Sequence, residues 1–433
     1  MRTAALHNLG CKVNAYETEA MQQILEDAGY QIVDFGDQAD VYVINTCSVT
    51  NVADKKSRQM LHRAKAKNPQ AVVVATGCYV QAAADRLKED AGVDLIIGNN
   101  KKKDLAAILE DYFAKSRGEQ GSYVVDIANE GEYEELHIDR IADHTRAFIK
   151  IQDGCNQFCS YCIIPYTRGR IRSRRAADIE REVRTLAEKG YREIVLTGIH
   201  LSSYGKDLEG EADLLDVIRL VHGIEGVDRI RLGSLEPRII TREFAQALRK
   251  LPKVCPHFHL SLQSGCESTL KRMNRHYTPD EYLERCRILR EVFENPAITT
   301  DVIVGFPGET DEEFEETKEF LKKVHFYEMH IFKYSRRAGT RADRMPDQVP
   351  EPVKTARSET LLELERRMSL EYRKSFLGKT CEILLEEPEV IGGKQYMTGH
   401  TREYVRVAAE SGSRGEIITG IPEKMLTDEV ILL

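Results

Sequence analysis

Three cysteines lie close together in the stretch "DGCNQFCSYC". Cys155, Cys159 and Cys162 are spaced so that a single loop can wrap one metal site. Structural zinc usually takes four protein ligands, often as two Cys-x-x-Cys pairs, and no second pair follows here. Iron–sulfur clusters are held by thiolate-rich loops, and three thiolates would leave one iron of a four-iron cluster open to a reactant. We therefore favour an iron–sulfur cluster over zinc at this loop.

Three more cysteines occupy equivalent positions near the start of the chain. Cys11, Cys47 and Cys78 follow the predicted strands "TAALHNL", "VYVIN" and "AVVVAT", each just before a predicted helix. Ligands of open α/β sheets bind at the carboxyl edge of the strands, where these three loops would meet. They can therefore converge on a second ion or cluster. The other cysteines lack paired spacing and are interpreted as ordinary small side chains: Cys255, Cys266, Cys286 and Cys381.

The elements that position these residues form three predicted domains. Residues 1–115 alternate strands with helices, which predicts a parallel-sheet α/β domain. Residues 116–143 are interpreted as a connection, with a boundary near Asp143. Residues 144–370 contain six strand candidates, which predict a partial, laterally open (β/α)6 barrel with the loop of three close cysteines at the carboxyl end of its first strand. Residues 371–433 predict a small antiparallel β-barrel of the OB type. The six barrel strands are "AFIKI", "EIVLTG", "RIRLGS", "FHLSLQ", "TTDVIVG" and "MHIFKY".

The composition indicates the cellular compartment of the protein and limits its binding partners. The chain has 433 residues and a net charge of −8, and it has no apolar run approaching the ~18 residues of a membrane helix. Its start lacks the pattern of a secretory signal, so we expect a cytoplasmic protein without a membrane partner. The reducing cytosol argues against a disulfide framework. Because a net negative charge repels nucleic acid, any RNA binding needs local basic patches.

Two basic segments could supply such a patch. The first flanks the loop of close cysteines and contains no acidic residue, which suggests RNA phosphates against the default of a solvated loop. Its members are Arg168, Arg170, Arg172, Arg174 and Arg175. The second lies in a predicted helix and is equally explained as a solvated face. Its members are Lys55, Lys56, Arg58, Arg63, Lys65 and Lys67.

The loop "CNQFCSYC" at the mouth of a predicted βα barrel resembles the radical S-adenosylmethionine (SAM) superfamily, including the aromatic Tyr161 before the last cysteine. The resemblance implies a [4Fe–4S] cluster on Cys155, Cys159 and Cys162, with SAM chelating the open iron. In the superfamily, an electron from the cluster cleaves SAM and yields a 5′-deoxyadenosyl radical that abstracts hydrogen. The protein itself contributes orientation and the exclusion of side reactions.

Further motifs are similar to the methylthiotransferase family within that superfamily. They are "LGCKVNAYETE", "INTCSVTNVADKKSRQ" and "TGCYVQ" in the first domain, and "GSLEPR", "SLQSGCESTLKRMNRHYT" and "DVIVGFPGET" in the barrel. The resemblance covers nearly the whole chain and implies a second [4Fe–4S] cluster on Cys11, Cys47 and Cys78. One SAM would donate methyl to sulfur, another would supply the radical, and the product would carry a C–S–CH3 group. It also implies a C-terminal RNA-binding TRAM domain, an electron donor such as flavodoxin or ferredoxin, and a sulfur source, with no role for DNA.

The same resemblance suggests residues that bind SAM or RNA. Thr197 and Gly198 end the second barrel strand, where the superfamily meets the methionine part of SAM; a tight turn that needs glycine is the alternative. The other SAM candidates, which could equally cap helices, are Ser234, Glu236 and Gln263, together with Tyr161. The C-terminal module is not basic overall, so its RNA contact would need a local face. Alternate residues of a strand share one side, which groups Arg402, Tyr404 and Arg406.

Two branches of the family modify a tRNA adenosine beside the anticodon, and a third modifies a ribosomal-protein aspartate. "EIVLTGIHLSSYG" and "KYSRRAGT" resemble the branch that methylthiolates carbon 2 of threonylcarbamoyladenosine in the anticodon stem-loop. Its carboxylate could pair with an arginine, for which Arg336 is the candidate. An isopentenyl group would instead need an aliphatic pocket. The alternatives are isopentenyladenosine, the aspartate and, in a different class, a non-catalytic iron–sulfur RNA-binding protein.

Overall fold

The computed structural model describes residues 1–115, 120–140, 145–210 and 212–433. The domain boundary predicted near Asp143 lies outside these residues. The described elements form three units in chain order: a parallel α/β sheet, a partial barrel and a curled C-terminal sheet. Within the described ranges, no helix is both long and apolar enough to span a membrane.

The first unit is a six-stranded parallel sheet with the strand order β2-β1-β3-β4-β5-β6. It confirms the predicted N-terminal α/β fold. Strand β6 lies in the predicted connection and pairs with β5, so this segment extends the sheet. The elements are β1 (Thr3–Asn8), α1 (Lys12–Asp27), β2 (Gln31–Ile32), β3 (Val41–Thr46), α2 (Asn51–Lys67), β4 (Val72–Gly77), α3 (Cys78–Lys88), β5 (Leu95–Ile97), α4 (Leu105–Ala114) and β6 (Gly121–Tyr123).

The second unit contains the six predicted parallel strands and confirms the partial barrel. Its elements are β7 (Ala147–Asp153), α5 (Ile164–Thr167), β8 (Arg172–Ser173), α6 (Ala176–Glu188), β9 (Glu193–Gly198), α7 (Leu214–His222), β10 (Arg229–Leu232), α8 (Arg242–Arg249), β11 (His257–His259), α9 (Glu267–Arg272), α10 (Pro279–Val292), β12 (Ala297–Val304), α11 (Asp311–Val324), β13 (Glu328–Lys333) and α12 (Glu351–Lys374). Strands β7, β9 and β10 form one ladder, and β11, β12 and β13 form another. Isolated parallel bridges join β10 to the β11 segment, so the barrel wall is continuous on that side.

Local sequence signals explain where two of the barrel helices begin. Thr278 caps α10 and Thr310 caps α11, each by a reciprocal capping box with a glutamate three residues on. Such boxes satisfy two backbone donors that a helix start leaves free. The apolar faces of the helices pack on the outward face of the strands, in a core that includes Ile194, Leu196 and Ile230. Several of the inward-pointing positions that alternate with them are polar or charged, so the lumen offers contacts to polar ligands.

The third unit is a curled sheet with the order β17-β14-β15-β16-β19-β18. Its elements are β14 (Cys381–Ile391), β15 (Lys394–Thr401), β16 (Arg406–Ala409), β17 (Ile417–Gly420), β18 (Lys424–Met425) and β19 (Ile431–Leu432). The pairs are antiparallel except β16 with β19. Strands β17 and β18 form its edges, so the predicted small barrel is present as a half-barrel. Helix α12, which packs on β13, runs through the predicted domain boundary at 370/371.

Candidate metal centres and cofactor cavity

The loop of three close cysteines follows β7 and precedes α5, at the carboxyl end of the first barrel strand. Gly154 begins the loop at a φ of +71°, and a Cβ there would lie 1.8 Å from the Arg170 carbonyl oxygen. The backbone N–H of Cys155 donates to the Gly169 carbonyl at 3.0 Å. Only glycine fits such a close approach of two backbones. The loop is therefore folded back so that its cysteines lie beside the barrel mouth.

The second group of cysteines lies at the carboxyl edge of the N-terminal sheet. Cys11 precedes α1, Cys47 follows β3, and Cys78 is the first residue of α3 directly after β4. Burial raises the pKa of Cys47 to about 11, and the neighbouring Cys78 and Cys11 add to the shift. The three thiols thus lie close enough to influence one another's ionisation. The structure brings together residues that are far apart in the sequence.

The spacing of the sulfurs suits a cluster better than a single ion. A zinc ion with Zn–S bonds of about 2.3 Å would hold tetrahedral sulfurs about 3.8 Å apart. Among the described residues, neither cysteine group has its three sulfurs all within 4.8 Å of one another. A four-iron cluster spreads its thiolate ligands over a larger body. Both groups therefore fit a [4Fe–4S] cluster held by three thiolates.

Each cysteine group is touched by an arginine, which is fully buried for Arg168 and partly exposed for Arg275. The Arg168 Nε donates to Cys78 Sγ at 3.4 Å, and the Arg275 Nη1 donates to Cys159 Sγ at 3.4 Å. Arg275 also donates to the Ser261 carbonyl at 3.0 Å, which fixes its position. Sequence reasoning assigned no role to Arg275, although it lies inside the quoted motif "SLQSGCESTLKRMNRHYT". Hydrogen bonds to cluster sulfurs stabilise their negative charge.

A buried ion network connects the two cysteine groups. Glu17 of α1 accepts from Lys150 of β7 at 2.8 Å and from Arg168 at 2.7 Å. Lys150 also pairs with Asp153 at 2.6 Å, two residues before Cys155. Burial alone would raise the pKa of Glu17, but Arg168 and the neighbouring lysines hold it well below its usual value. The network therefore joins the first domain to the barrel with charged groups that stay ionised.

A cavity of about 250 Å³ lies beside Cys162. Tyr161 and Gln263, two of the predicted SAM-binding residues, line it together with the aliphatic Ile303. Val49, two residues beyond Cys47 in the chain, also lines it, so the cavity adjoins both domains. An aromatic ring, an aliphatic side chain and one amide suit a purine with polar substituents.

The other predicted SAM-binding residues lie at the carboxyl ends of β9 and β10. Thr197 is buried, and a Cβ at Gly198 would lie 3.0 Å from Gln152. Ser234 is exposed, while the Glu236 carboxylate pairs with Arg238 at 2.8 Å. No contact of these four residues distinguishes cofactor binding from a structural role, so their assignment stays a prediction.

The barrel lumen also contains a cluster of two histidines and an aspartate. His259 Nε2 lies 3.2 Å from Asp301 Oδ2, and the His330 ring stacks on the His259 ring with 5.8 Å between centroids. One ligand atom from each lies within 4.8 Å of the others, close enough to share a divalent cation. Their hydrogen bonds and stacking already account for the observed arrangement.

The predicted RNA contacts of three arginines are wrong. Arg168, Arg172 and Arg174 are at most 1% exposed. Arg168 pairs with Glu17, Arg172 faces Asp153, and Arg174 pairs with Glu182. Acidic residues outside the segment supply the anions that the segment itself lacks, so no phosphate is required.

The other two arginines of that segment are exposed to solvent. Arg170 and Arg175 are exposed, and Arg170 packs over the Phe158 ring at 4.8 Å. In the C-terminal sheet, Arg402 donates to the Val254 carbonyl of the barrel at 3.0 Å, and Arg406 pairs with Glu389. Arg402 therefore contributes to the contact with the barrel. The RNA contacts of Arg170, Arg175 and Arg406 stay predictions.

Arg336 lies on the surface, whereas the adjacent Arg337 is buried. The Arg336 Nε pairs with Asp343 at 3.0 Å, so a substrate carboxylate would compete with that partner. Arg337 donates to Ser48 Oγ at 2.6 Å, just after Cys47. Arg337 thus ties the loop that contains Cys47 to the barrel, a role that the sequence did not indicate.

The fold and the loop of three cysteines define a radical SAM protein. Residues 149–321 match the model of the Radical SAM superfamily, and residues 3–98 match that of Uncharacterized protein family UPF0004. The fold resembles the radical S-adenosylmethionine methyltransferase TsrM from Kitasatospora setae, with a TM-score of 0.59, 17% identity, and coverage of 79% of this chain and 77% of that chain.

Named relatives assign the chain to one family within this superfamily. It is 43% identical to a threonylcarbamoyladenosine tRNA methylthiotransferase of Bacillus subtilis, over 94% of this chain and 90% of that protein. The Thermotoga maritima protein of the same name is 36% identical over 100% of this chain and 96% of its own. A tRNA-2-methylthio-N(6)-dimethylallyladenosine synthase of Thermoanaerobacter sp. is 39% identical over 88% of this chain and 81% of its own. The chain belongs to the tRNA methylthiotransferase family.

Proposed function

We propose that this protein methylthiolates carbon 2 of threonylcarbamoyladenosine beside the anticodon of tRNA. The observation that carries the proposal is the pair of three-cysteine groups, each touched by an arginine, in a chain similar over nearly its full length to enzymes named for this reaction. Two sites with an open iron each suit a reaction that needs both a radical source and a sulfur carrier. A non-catalytic iron–sulfur protein would need neither open position.

The chain's own residues divide the work between the two sites. Cys155, Cys159 and Cys162 would hold the radical SAM cluster, and Cys11, Cys47 and Cys78 the auxiliary cluster. Loaded with SAM and reduced, the clusters would supply the electron that cleaves SAM and an open iron for the sulfur. Tyr161 and Gln263 orient the cofactor in the cavity that they line. Arg275 and Arg168 stabilise one thiolate of each group.

The substrate branch follows from chemistry as well as from similarity. Threonylcarbamoyl carries a carboxylate and hydrogen-bonding groups, and a site built for them should reject an apolar isopentenyl group. The barrel lumen offers His259, Asp301 and His330, all polar, on three neighbouring strands. Arg336 is the proposed partner of the substrate carboxylate. On binding, that carboxylate would replace Asp343 as the partner of Arg336. Isopentenyladenosine and a ribosomal-protein aspartate are the rival substrates.

The proposal also includes tRNA binding, an electron donor and a sulfur source. The anticodon stem-loop offers unstacked bases that can enter the barrel mouth, with the exposed Arg170 and Arg175 beside it and the C-terminal half-barrel acting as a TRAM domain. A cytoplasmic flavodoxin or ferredoxin would donate electrons, and a separate sulfur source would recharge the auxiliary site.

A bacterial strain that lacks its own threonylcarbamoyladenosine methylthiotransferase tests the proposal. Expression of this protein should restore 2-methylthio-threonylcarbamoyladenosine, measured by mass spectrometry of tRNA nucleosides. Cys47→Ala and Cys159→Ala variants are the matched controls, because each removes one ligand from one site. Nucleosides that stay unmodified with the wild-type protein, although it is expressed and contains iron, would refute the proposed activity.

A further inference from the structure

The Arg168 side chain is enclosed between the two domains. It is 0% exposed, and its Nε donates to Cys78 Sγ at 3.4 Å. In α1, the Glu17 carboxylate accepts from Nη1 and Nη2 at 2.7 and 3.0 Å, and Asn14 Oδ1 accepts from Nη2 at 2.7 Å. Nη1 also donates to the Asp153 carboxylate of β7 at 3.2 Å. Arg168 belongs to the barrel, yet its side chain contacts a thiol of the first domain. Its geometry is fixed from three sides.

The next residue contacts the other cysteine group. The Gly169 carbonyl accepts the backbone N–H of Cys155 at 3.0 Å. Gly169 has a φ of +71°, and a Cβ there would lie 2.2 Å from the Ile127 carbonyl oxygen. The dipeptide Arg168–Gly169 therefore touches one cysteine of each group. Neither residue can move without disturbing a proposed cluster ligand.

Among the described residues, the buried charges that pair around Arg168 do not balance. Six buried ionisable groups form this cluster: the cations Lys102, Lys150, Arg168 and Arg172, and the carboxylates Glu17 and Asp153. Four cations against two carboxylates leave an excess of positive charge. In a poorly solvated interior such an excess needs a nearby anion. The sulfur of Cys78, a proposed cluster ligand, lies within hydrogen-bond distance of Arg168.

We propose that Arg168 is a positioning residue of the auxiliary site, which raises the reduction potential of a four-iron cluster held by Cys11, Cys47 and Cys78. The inference rests on the proposed function, because it presupposes that cluster. Reduction adds one negative charge to the cluster, and a fixed guanidinium beside a ligand sulfur stabilises that charge. Net charge, burial and hydrogen bonds to sulfur are the means by which proteins set these potentials. Glu17 acts in the opposite direction, since its carboxylate offsets part of the positive charge of Arg168.

The two residues therefore give variants with opposite expected signs. The full-length chain with Cys155, Cys159 and Cys162 replaced by Ala is the parent, so that only the auxiliary cluster is present. In this parent, Arg168→Met should make the midpoint potential more negative. Glu17→Gln should make it more positive, because it removes a negative charge and keeps the arginine. Arg168→Lys retains the charge and should fall between the parent and Arg168→Met.

Arg174→Met is the matched control. Arg174 is also a buried arginine of the same segment and pairs with the buried Glu182, but among the described residues its side chain donates to no cysteine. Its replacement should leave the potential unchanged. Midpoints are read from redox titrations followed by electron paramagnetic resonance, without SAM or tRNA.

Opposite shifts in Arg168→Met and Glu17→Gln, with an unmoved control, support the inference. Unmoved potentials, shifts of the same sign, or a control that shifts like Arg168→Met overturn it. If Arg168→Met assembles no cluster, the other two variants test the inference. It is supported by a more positive midpoint potential in Glu17→Gln together with a more negative one in Arg168→Lys, and overturned by any other combination. A parent that assembles no iron cluster overturns the proposed function and this inference together. A normal cluster with unmoved potentials overturns this inference alone.

Discussion

At the scale of single residues, two arginine–thiol contacts differentiate the cysteine groups from ordinary buried thiols. Burial raises the pKa of Cys155 to about 11, with Cys159 adding to the shift. An unloaded site would therefore hold protonated thiols at neutral pH, and cluster assembly has to release those protons. A guanidinium at the sulfur favours the thiolate that assembly needs. Arg275 donates a hydrogen bond to Cys159 Sγ at 3.4 Å.

Replacement of Arg275 tests that role. A hydrogen bond to a charged group contributes about 1.5 kcal/mol, so Arg275→Met should slow release of 5′-deoxyadenosine from SAM by about tenfold. Arg272→Met is the control, since Arg272 lies three residues before Arg275 and pairs with Glu313, and within the described part of the chain its side chain donates to no cysteine. The measurement is chromatographic quantitation of 5′-deoxyadenosine under anaerobic conditions. Equal rates for the Arg275 variant and the wild type would exclude a role for this contact in SAM cleavage.

The exposed arginines give a second prediction at this scale. Arg170→Ala and Arg175→Ala, combined, should weaken tRNA binding and lower the slope of log affinity against log salt by about one per lost phosphate contact. The matched control is Arg184→Ala, an exposed arginine on α6 that pairs with Glu180. Binding is measured by filter retention between low and moderate salt. A slope identical to that of the wild type would remove both arginines from the RNA interface.

The sequence could predict the six cysteines but not which arginines are buried. Cysteine spacing is local, whereas the burial of Arg168 depends on Glu17, 151 residues earlier in the chain. Arg275 gave no local signal of metal contact either, because its partner Cys159 is 116 residues away. Charge patterns in one segment cannot reveal the opposite charges that other segments supply.

At the scale of elements, the cysteines are placed by sharp turns between strand and helix. Gly77 ends β4 immediately before Cys78 and has a φ of +95°. A Cβ at this position would lie 2.4 Å from the Thr46 carbonyl oxygen and 2.6 Å from Asn45 Oδ1. Neither a backbone oxygen nor an enclosed amide can give way easily, so the turn requires glycine.

Gly77→Ala should therefore disturb the auxiliary site and leave the radical SAM loop intact. We expect anaerobically reconstituted protein to fall from about eight irons to about four per chain, measured by colorimetric iron analysis. Gly190→Ala is the control, because Gly190 has a similar φ of +92° but no atom within 4 Å of a Cβ. Its iron content should match the wild type. A Gly77→Ala protein with a full complement of iron would show that the turn does not position Cys78.

Long strands and helices with clear capping signals could be predicted from the sequence, whereas very short strands could not. Alternating apolar strands and the capping boxes at Thr278 and Thr310 predicted the barrel elements that the structure contains. Strand β2 was missed because it has only two residues, and the three residues of β6 lie in the segment interpreted as a connection. Helix α4 was missed because its sequence, "LAAILEDYFA", adjoins an irregular segment.

At the scale of the whole molecule, buried ion pairs join the barrel to its neighbours. At the amino ends of β9 and β10, Glu193 pairs with Arg231 at 2.8 Å, and Arg231 donates to the Arg402 carbonyl of the C-terminal sheet at 3.0 Å. Burial alone would raise the pKa of Glu193, but Arg231 lowers it to about 2. This contact was not predicted, since Arg402 had been assigned to RNA.

The lowered pKa predicts acid sensitivity of this interface. Glu193 contributes stability that is fully present above its unfolded pKa of about 4.5 and is lost as the pH falls towards 2. The shift corresponds to about 3 kcal/mol. In the iron-free chain, urea unfolding at pH 6 and at pH 3 should show a smaller acid-induced loss for Glu193→Gln than for the wild type. Identical losses would mean that Glu193 does not stay ionised on folding.

The central claim is the reaction and its substrate. Purified protein, reconstituted with iron and sulfide under anaerobic conditions, receives SAM, a reductant, a sulfur source and an equal mixture of two tRNAs, one with threonylcarbamoyladenosine and one with isopentenyladenosine. Mass spectrometry of the nucleosides should show the methylthio group on threonylcarbamoyladenosine, with strong discrimination against the apolar analogue. Methylthiolation of the isopentenyl nucleoside alone would contradict the substrate, and modification of neither, with both clusters present and SAM cleaved, would contradict the tRNA reaction itself.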